Sequence, residues 1–199
     1  MTDETRLRRY EPVWRASAEF LRARKNDIHV PISFGLCQEL LTHYPDADAD
    51  ICSLAILLHD IGWYQIDMVD ILEKGFGPNM MQSDVRFLHE SEGVRMSAEV
   101  LAATGWSASV IEQVGAIIDG HDTRPYPRSL NDRIVRDADK LWRFTVAGAA
   151  VASDWFKCTP QQYVLKQDQT YKLLETEAGP VIAAREQALS RKILLTDFL

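Results

Sequence analysis

The segment LLHDIG at residues 57–62 places a histidine and an aspartate at the end of an apolar run. A carboxylate buried without a partner is strongly destabilising, and a buried imidazole also needs partners for its nitrogens. His59 and Asp60 therefore predict a partner on the opposite side of the core. A metal ion fits this requirement, because its positive charge offsets the cost of burying the carboxylate.

The chain contains five histidines, which are His29, His43, His59, His89 and His121. Helical spacing to apolar neighbours predicts that His29, His59 and His121 point into the core. The spacing leaves His89 undecided and places His43 at a surface-exposed helix end. At least three imidazoles are therefore directed towards the interior of one domain.

Asp139 is a second carboxylate on an apolar helical stripe. A single core histidine is most often a satisfied structural group, but one small core rarely holds so many titratable side chains without a function. Mixed histidine and aspartate ligation suits a divalent metal such as Fe, Mn or Zn. Adjacent helical residues point about 100° apart, so His59 and Asp60 would approach a metal from different sides, and Asp60 could bridge two ions.

The elements that must position these side chains are predicted to be helices, because the apolar period is helical almost throughout the chain. Helix starts are predicted after Asp48 or Asp50, after Ser107, and after Thr159, which begins a capping box with proline at the first helical position. Gly179 and the following proline mark a break before the last helix. The sequence predicts an all-α bundle of seven or eight helices.

We expect one domain over residues 1–199, since the length suits one core of good size. Its predicted metal-site core spans about residues 26–145, and residues 1–25 and 155–199 form flanking helices. The amphipathic tail can either cover the core or form the face of a homodimer.

The composition excludes several classes of partner. A net charge of −7 with no stripe of basic residues argues against binding of long nucleic acid. No apolar run is long enough to span a membrane, and the N-terminus does not resemble a secretory signal. Cys37 and Cys52 lie in apolar helical patterns, which predicts buried free thiols. We therefore expect a cytoplasmic protein without a membrane partner.

The order of these residues along the chain resembles that of the HD-domain superfamily of metal-dependent phosphohydrolases. The flanking segments LLHDIG, IIDGH and VRDADKLW are similar as well, and the resemblance covers residue 29 to about residue 145. It implies a helical domain that binds one or two divalent metal ions, such as Fe, Mn or another transition metal. The ligands that it implies are His29, His59, Asp60, His89, His121 and Asp139.

Within this resemblance, His29, His59, Asp60 and Asp139 match the basic metal site. The other two histidines match those of dinuclear members, in which the aspartate of the HD pair bridges. Asp139 occupies the position of the ligand, and Asp137 is interpreted as a supporting group or an ordinary helix acid.

The resemblance implies hydrolysis of a phosphoester or phosphoanhydride in a small phosphorylated molecule, either a nucleotide or a phosphorylated metabolite. A metal-activated water would attack, with Asp60 as the catalytic aspartate at the metal. Glu90, Glu92 and Asp122 stand beside ligand positions and are candidates for the proton donor to the leaving group. Each of them could equally be a structural or surface acid.

The chain departs from the family at Trp63, where many members have a lysine that can contact phosphate. Lys140, Arg143 and Arg124 are the cations that could bind substrate instead, although each could also be a solvated surface charge. Two glycine- or proline-containing loops, residues 73–83 and 121–132, are candidate rims of the site.

Two other functions remain open at this point. Dinuclear relatives include iron oxygenases of the myo-inositol oxygenase type, which use the same six ligands. Their substrate-binding lysine after the fourth histidine has no counterpart here, because Asp122 follows His121, and this favours hydrolysis. The other alternative is a non-catalytic module that binds metal or nucleotide, which the intact ligand set disfavours.

Overall fold

The computed structural model describes residues 7–74 and 83–195. Within these ranges the chain forms α-helices and 3₁₀-helices and no β-strand, which confirms the predicted all-α class. The α-helices are α1 Glu11–Ser17, α2 Asn26–His43, α3 Ala49–Leu58, α4 Met68–Lys74, α5 Asp84–Ala103, α6 Ala108–Ile118, α7 Leu130–Leu141, α8 Val146–Trp155, α9 Pro160–Leu165, α10 Asp168–Tyr171 and α11 Gly179–Leu194. The 3₁₀-helices are Phe20–Lys25, Ile61–Gln65 and Trp142–Phe144. Seven of these eleven α-helices have ten or more residues, which agrees with the predicted number of substantial helices.

Local capping sets the helix starts where the sequence predicts them. The Asp48 side chain accepts hydrogen bonds from the first backbone amides of α3, and Ser107 caps α6 in the same way. Thr159 forms the predicted capping box before α9. Helix α11 begins at Gly179 with proline in its first turn. These caps satisfy amide groups that a helix start otherwise leaves without partners.

The main core is built around α2, α3, α6 and α7, whose apolar faces are buried against one another. Tyr10 and Val13 before and within α1, together with Ile182 and Ala183 of α11, belong to the same buried cluster. Flanking helices from both ends of the described chain therefore cover the core that carries the histidines. In the tail, Leu165 and Leu173 remain exposed.

Several smaller expectations have an outcome in this part of the molecule. Cys37 and Cys52 are free and buried, as predicted. None of the described helices combines the length and the apolar character needed to cross a bilayer. The predicted rim at residues 73–83 falls mainly on residues 75–82, which lie outside the described residues.

The HD pair does not lie inside an α-helix, which differs from the expectation. Helix α3 ends at Leu58, His59 is its C-cap, and Asp60 leaves helical geometry at φ −105° and ψ 4° before the 3₁₀-helix Ile61–Gln65. The change of direction turns both side chains towards one site instead of separating them by the angle of a continuous helix.

Gly62 explains how this turn comes so close to α5. A Cβ atom at this position would lie 2.0 Å from the carbonyl oxygen of His89 and 2.5 Å from the amide nitrogen of Gly93. Both contacts are to backbone, so no side-chain rotation can relieve them. The absence of a side chain at Gly62 therefore lets the HD turn pack against the backbone of α5.

Candidate metal centre

Six predicted ligands meet at one buried site. His29 comes from α2 and His89 from α5, Asp139 comes from α7, and the HD turn supplies two more. His121 follows the end of α6, where Gly120 at φ 83° turns the chain back towards the core. All six side chains are buried, with exposed fractions of 0% for His59 and His89 and at most 6% for the others. The structure thus brings together every metal ligand expected from the sequence.

Asp60 stands between two groups of ligands. Its Oδ2 atom lies 3.3 Å from Nδ1 of His29 and 3.6 Å from Nε2 of His59. Its Oδ1 atom lies 3.7 Å from Nε2 of His89 and 3.6 Å from Nε2 of His121. Each carboxylate oxygen therefore faces its own pair of histidines, which is the arrangement that a bridging carboxylate requires.

Asp139 completes the first of these groups. Its Oδ1 atom lies 3.1 Å from Nε2 of His29 and 3.3 Å from Nε2 of His59. Both nitrogens are buried and have no hydrogen-bond partner among the described residues, because the contacts lack hydrogen-bond geometry. A buried nitrogen that faces a carboxylate without a hydrogen bond is a good metal ligand but a poor structural group.

The spacing of these atoms fits a divalent ion. Metal bonds to nitrogen and oxygen of about 2.0–2.2 Å place neighbouring ligand atoms about 3.0–3.6 Å apart. The observed separations within the two groups run from 3.1 Å to 3.7 Å. His29, His59 and Asp139 form one set that can hold an ion, and His59, Asp60 and His121 form a second set that shares His59 with the first. Because Nδ1 of His59 faces a backbone carbonyl, His59 can serve only one ion, and His89 is the remaining histidine beside Asp60 and His121. The residues present therefore fit metal, and their number suits two ions.

Backbone carbonyls fix the orientation of two of the imidazoles. Nδ1 of His59 lies 2.8 Å from the carbonyl oxygen of Ile56, and Nδ1 of His121 lies 2.9 Å from that of Ile118. An N–H donated to each carbonyl leaves Nε2 as the free ligand atom, directed at the aspartates.

Two tryptophans stack on ligand histidines of the site. Trp63 stacks on His89 with ring centroids 4.2 Å apart, and its indole N–H donates a hydrogen bond of 2.9 Å to Oδ1 of Asp60. Trp142 stacks on His29 at 4.5 Å. From the sequence, Trp63 marks the position of a family lysine and is an aromatic residue near the site, but nothing in the sequence indicated that its N–H would orient the bridging carboxylate.

The charges in the site are strongly coupled. Burial lowers the pKa of His121, but its contacts with Asp60 and the nearby carboxylates outweigh burial and raise it to about 9. Burial and the neighbouring His121 lower the pKa of His89 to about 3. Burial would raise the pKa of Asp60 and Asp139, but the adjacent histidines hold both well below the usual range. Both carboxylates are thus ionised and ready to bind a cation.

The hydrogen bonds of Glu90 differ from those expected of a proton donor. Its carboxylate accepts hydrogen bonds from the backbone amides of Asp122 and Thr123 at 2.8 Å and 2.9 Å, and from the Thr123 hydroxyl at 2.6 Å. Glu90 therefore holds the turn that carries His121, and the expected proton-donor role does not fit its contacts.

Asp122 lies at the edge of the site, where it forms an ion pair of 3.1 Å with Nε of Arg86. Burial would raise the pKa of its carboxyl, but His121 and Arg86 lower it below the usual range. Asp122 is therefore ionised at neutral pH and has no proton to donate.

A cavity of about 320 Å³, called here the large cavity, opens beside the metal ligands and reaches His121 and Asp139. Its walls include Trp63 and Trp155, which make part of the lining apolar. Among the described residues its lining includes six cationic side chains, which are Arg24, Arg86, Arg124, Arg136, Lys140 and Arg143. A cavity with this excess of positive charge favours an anionic ligand even though the whole chain is acidic.

The three cations expected to bind substrate all line the large cavity, but their contacts differ. Arg124 donates to Asp132 at 2.6 Å and to the backbone carbonyls of Asp119 and Ala116, so its guanidinium is committed to holding the loop 121–132. Lys140 donates to a backbone carbonyl of its own helix at 2.9 Å. Arg143 makes no hydrogen bond or ion pair with another described side chain. Its guanidinium is thus the best placed of the three to contact a ligand.

Asp137, two residues before the ligand Asp139, has a purely structural place. It accepts hydrogen bonds from the backbone amides of Glu175 and Thr176, both at 2.8 Å, and from the Thr176 hydroxyl at 2.6 Å. The interpretation as a supporting group of the metal is therefore wrong, because Asp137 fixes the segment before α11. His43 is exposed, as predicted.

Comparison with known families agrees with this geometry. Residues 27–143 match the model of the HD domain family, which is more than half of the chain. The chain therefore belongs to the HD domain family, within a superfamily of metal-dependent hydrolases. No protein of curated function and no solved structure is significantly similar to it.

Proposed function

We propose that this protein is a metal-dependent phosphohydrolase that acts on a small phosphorylated molecule, a nucleotide or a phosphorylated metabolite. One observation carries the proposal: the ligand atoms of a buried His/Asp centre open directly into a cavity lined by six cationic side chains. A phosphate group is the ligand that satisfies both features, since its oxygens bind a divalent ion and its charge is balanced by arginine and lysine.

In this proposal the ligand residues bind metal and Arg143 binds the substrate. His29, His59, Asp60 and Asp139 would hold one divalent ion, and His89 and His121 would hold a second together with Asp60. When bound, such ions supply Lewis acidity that lowers the pKa of water towards about 7 and polarises phosphoryl oxygen. Arg143 contacts the phosphoryl oxygens.

Asp122 accepts a hydrogen bond from the attacking water and orients it, because its carboxylate is ionised and lies beside His121 at the wall of the large cavity. Arg86 holds this carboxylate in place through their ion pair. Glu90 positions the turn of residues 121–123 without taking part in proton transfer. Trp63 and Trp155 line the cavity and limit the access of bulk water.

The test is a hydrolysis assay with a panel of nucleotides, sugar phosphates and other phosphoesters, run on protein reconstituted with Mn²⁺, Fe²⁺ or Co²⁺. We expect release of inorganic phosphate or of a nucleotide product, with loss of activity in Asp60→Ala. The matched control is His43→Ala, which changes an exposed histidine and should retain activity. Full activity in Asp60→Ala, or no hydrolysis with any metal or substrate, would contradict the proposal.

An iron oxygenase is the second candidate, because Asp60 faces both groups of ligands and thus suits a dinuclear centre. The two reactions separate in one experiment on the iron-loaded protein. Consumption of O₂ that depends on an organophosphonate or polyol substrate would support the oxygenase. Equal phosphate release with and without O₂ would support the hydrolase.

The thiols bear on the cellular compartment. We propose a cytoplasmic location, which is supported by two buried free cysteines, Cys37 and Cys52, in the described chain. Fractionation of the cells that make the protein would test it, and recovery with the membrane or secreted fraction would contradict it.

A further inference from the structure

Arg136 is a buried arginine on the metal-binding face of α7. It precedes the ligand Asp139 by three residues, so both lie on the same face of the helix, about 4.5 Å apart along its axis. Arg136 is only 7% exposed and lines the large cavity, which Asp139 also lines. A cationic side chain therefore stands about one helical turn from a metal ligand, in the wall of the same cavity.

The guanidinium of Arg136 lacks most of the hydrogen-bond acceptors that it needs. Its Nε and Nη1 atoms are buried and have no hydrogen-bond partner in the described part of the chain. These two nitrogens carry three of the five N–H donors of an arginine. Buried donors of a charged group are costly without an acceptor, and most of them have a partner in folded proteins. The arrangement therefore requires an acceptor that the described chain does not supply.

Glu175 satisfies Arg136 only in part. Its Oε1 atom lies 3.3 Å from Nη2 of Arg136, and its Oε2 atom is buried without a hydrogen-bond partner among the described residues. Burial raises the pKa of Glu175 against the opposing charges of Arg136 and Lys140. A well-formed pair of arginine and carboxylate is shorter and often bidentate. Glu175 therefore holds one corner of the guanidinium and leaves its positive charge incompletely balanced.

Lys140 adds a second cation to the same stretch of cavity wall. It follows Arg136 by four residues on α7 and also lines the large cavity. Its Nζ atom donates a hydrogen bond of 2.9 Å to the backbone carbonyl of Arg136, which fixes the ammonium group beside that residue. This bond uses one of the three donors of the ammonium group. Arg136 and Lys140 together thus offer several N–H groups to an anion in the cavity.

We propose that Arg136 and Lys140 bind a second anionic group of the substrate, a phosphate or a carboxylate that is separate from the phosphoryl group hydrolysed at the metal centre. This inference rests on the proposed function for the reacting phosphoryl group, which Arg143 and the metal centre bind. An arginine side chain has several rotatable bonds, so its guanidinium can turn towards an anion that offers the missing acceptors. The substrate is then a phosphorylated molecule with a further acidic group, and not the phosphomonoester of a neutral alcohol.

The test compares probes with one and with two anionic groups by calorimetry on the full-length, Mn²⁺-reconstituted protein. Methylphosphonate has one such group, whereas bisphosphonates and phosphonocarboxylates have two, joined by one to three methylene groups. A phosphonate has no P–O–C bond to hydrolyse, so the measurement does not depend on turnover. The wild type should bind the best two-anion probe at least about tenfold more tightly than methylphosphonate, and the tighter of the two probe classes identifies the second group as phosphate or carboxylate.

Arg136→Met should weaken binding of the two-anion probe by about 10- to 100-fold, which is the size of effect expected for lost hydrogen bonds to a charged group. Its affinity for methylphosphonate should stay within about twofold of the wild type, because that probe occupies the metal centre alone. The matched control is Arg133→Met, which changes an exposed arginine on the same helix and should leave both affinities within about twofold. Metal content is measured on each variant.

Two further variants cover the case in which Arg136→Met fails to fold. Arg136→Lys keeps the charge but has fewer donors, and it should weaken the two-anion probe by about 3- to 10-fold. Glu175→Gln frees Nη2 of Arg136 from its ion pair, so it should bind this probe at least as tightly as the wild type. A loss of affinity in Glu175→Gln would overturn the second anion site.

The outcomes separate this site from the hydrolase activity. Equal affinity of the wild type for both kinds of probe, or unchanged two-anion affinity in a folded, metal-loaded Arg136 variant, would overturn the site and leave the hydrolase proposal intact. An equal loss in Arg133→Met would show only a general attraction of charge and would also overturn it. A preference for two anions that depends on Arg136, in a protein that hydrolyses no phosphoester, would support the site and refute the hydrolase.

Discussion

Replacement of Trp63 by phenylalanine is expected to weaken the second metal position selectively. The change removes the indole N–H that donates to Oδ1 of Asp60 at 2.9 Å, and it keeps an aromatic ring against His89. A hydrogen bond to a charged group contributes about 1.5–3 kcal/mol, which corresponds to about 10- to 150-fold in an equilibrium constant. Since Oδ1 faces His89 and His121, most of this loss should fall on the ion that they hold.

Trp142→Phe is the matched control. Trp142 is equally buried and stacks on His29 at 4.5 Å, but its indole N–H has no hydrogen-bond partner among the described residues. Both changes remove the same atoms from a ring beside a ligand histidine, so their cavity and packing effects should be similar. Only Trp63→Phe removes an interaction with a ligand.

The assay is a calorimetric titration of the metal-free protein with Mn²⁺, together with the metal content of the dialysed protein. We expect the second binding step to weaken by about 10- to 100-fold in Trp63→Phe, as is usual for groups that orient ligands, and to change little in Trp142→Phe. Equal metal affinity in wild type and Trp63→Phe would refute the assignment of Oδ1 to the second ion. An equal loss in both variants would show that ring packing, and not the hydrogen bond, supports the site.

Three further predictions concern the same centre. Gly62→Ala should destabilise the protein by about 3 kcal/mol or more and reduce metal binding, because its Cβ would clash with the backbone of α5. Gly35→Ala is the control, since a Cβ there meets no atom within 4 Å and should have little effect or stabilise slightly. Thermal unfolding compares the two variants, and equal melting temperatures would contradict the packing argument. Metal affinity should rise about tenfold per pH unit between about pH 6.5 and 8.5, because ion binding must displace the proton of His121. The nearby carboxylates raise the pKa of His121 to about 9 against the effect of burial. Metal affinity that does not depend on pH would contradict this prediction. Asp137→Ala should lower the free energy of unfolding by about 3 kcal/mol through the loss of three hydrogen bonds, but it should retain metal. Asp139→Ala should lose metal. The reverse result would make Asp137 the metal ligand and Asp139 the structural residue.

The fold class and the metal ligands were accessible from the sequence because both depend on short-range patterns. Helix starts at Ser107 and Thr159 are set by the side chains next to them, so local sequence predicts them. Inward placement of His29 and Asp139 follows from the apolar period of their own helices. His59 and His121 were also predicted to point inwards, although both lie just past a helix end, where turns with Asp60 and Gly120 direct them to the site.

The supporting residues were not accessible, because their roles depend on contacts between distant segments. Glu90 and Asp137 are buried acids beside ligand positions, as a catalytic or supporting acid would be, and only their backbone partners reveal that both hold loops. Arg124 and Arg143 are both cations near a ligand, yet one is fully engaged by its own loop. The place of Arg24 in the wall of the large cavity could not be predicted from the sequence, because it depends on a left-handed turn in a stretch without glycine.

The most direct test of the central claim is the metal content of the chain, purified without oxygen and without a metal-affinity tag and measured by mass spectrometry. The geometry of Asp60, with each carboxylate oxygen facing two histidines, predicts two ions per chain. Asp60→Ala should contain less than one ion per chain while retaining its helix content. One ion per chain in the wild type would contradict the bridging role of Asp60, and a chain that takes up no metal on addition of Mn²⁺ or Fe²⁺ would contradict the metal centre itself.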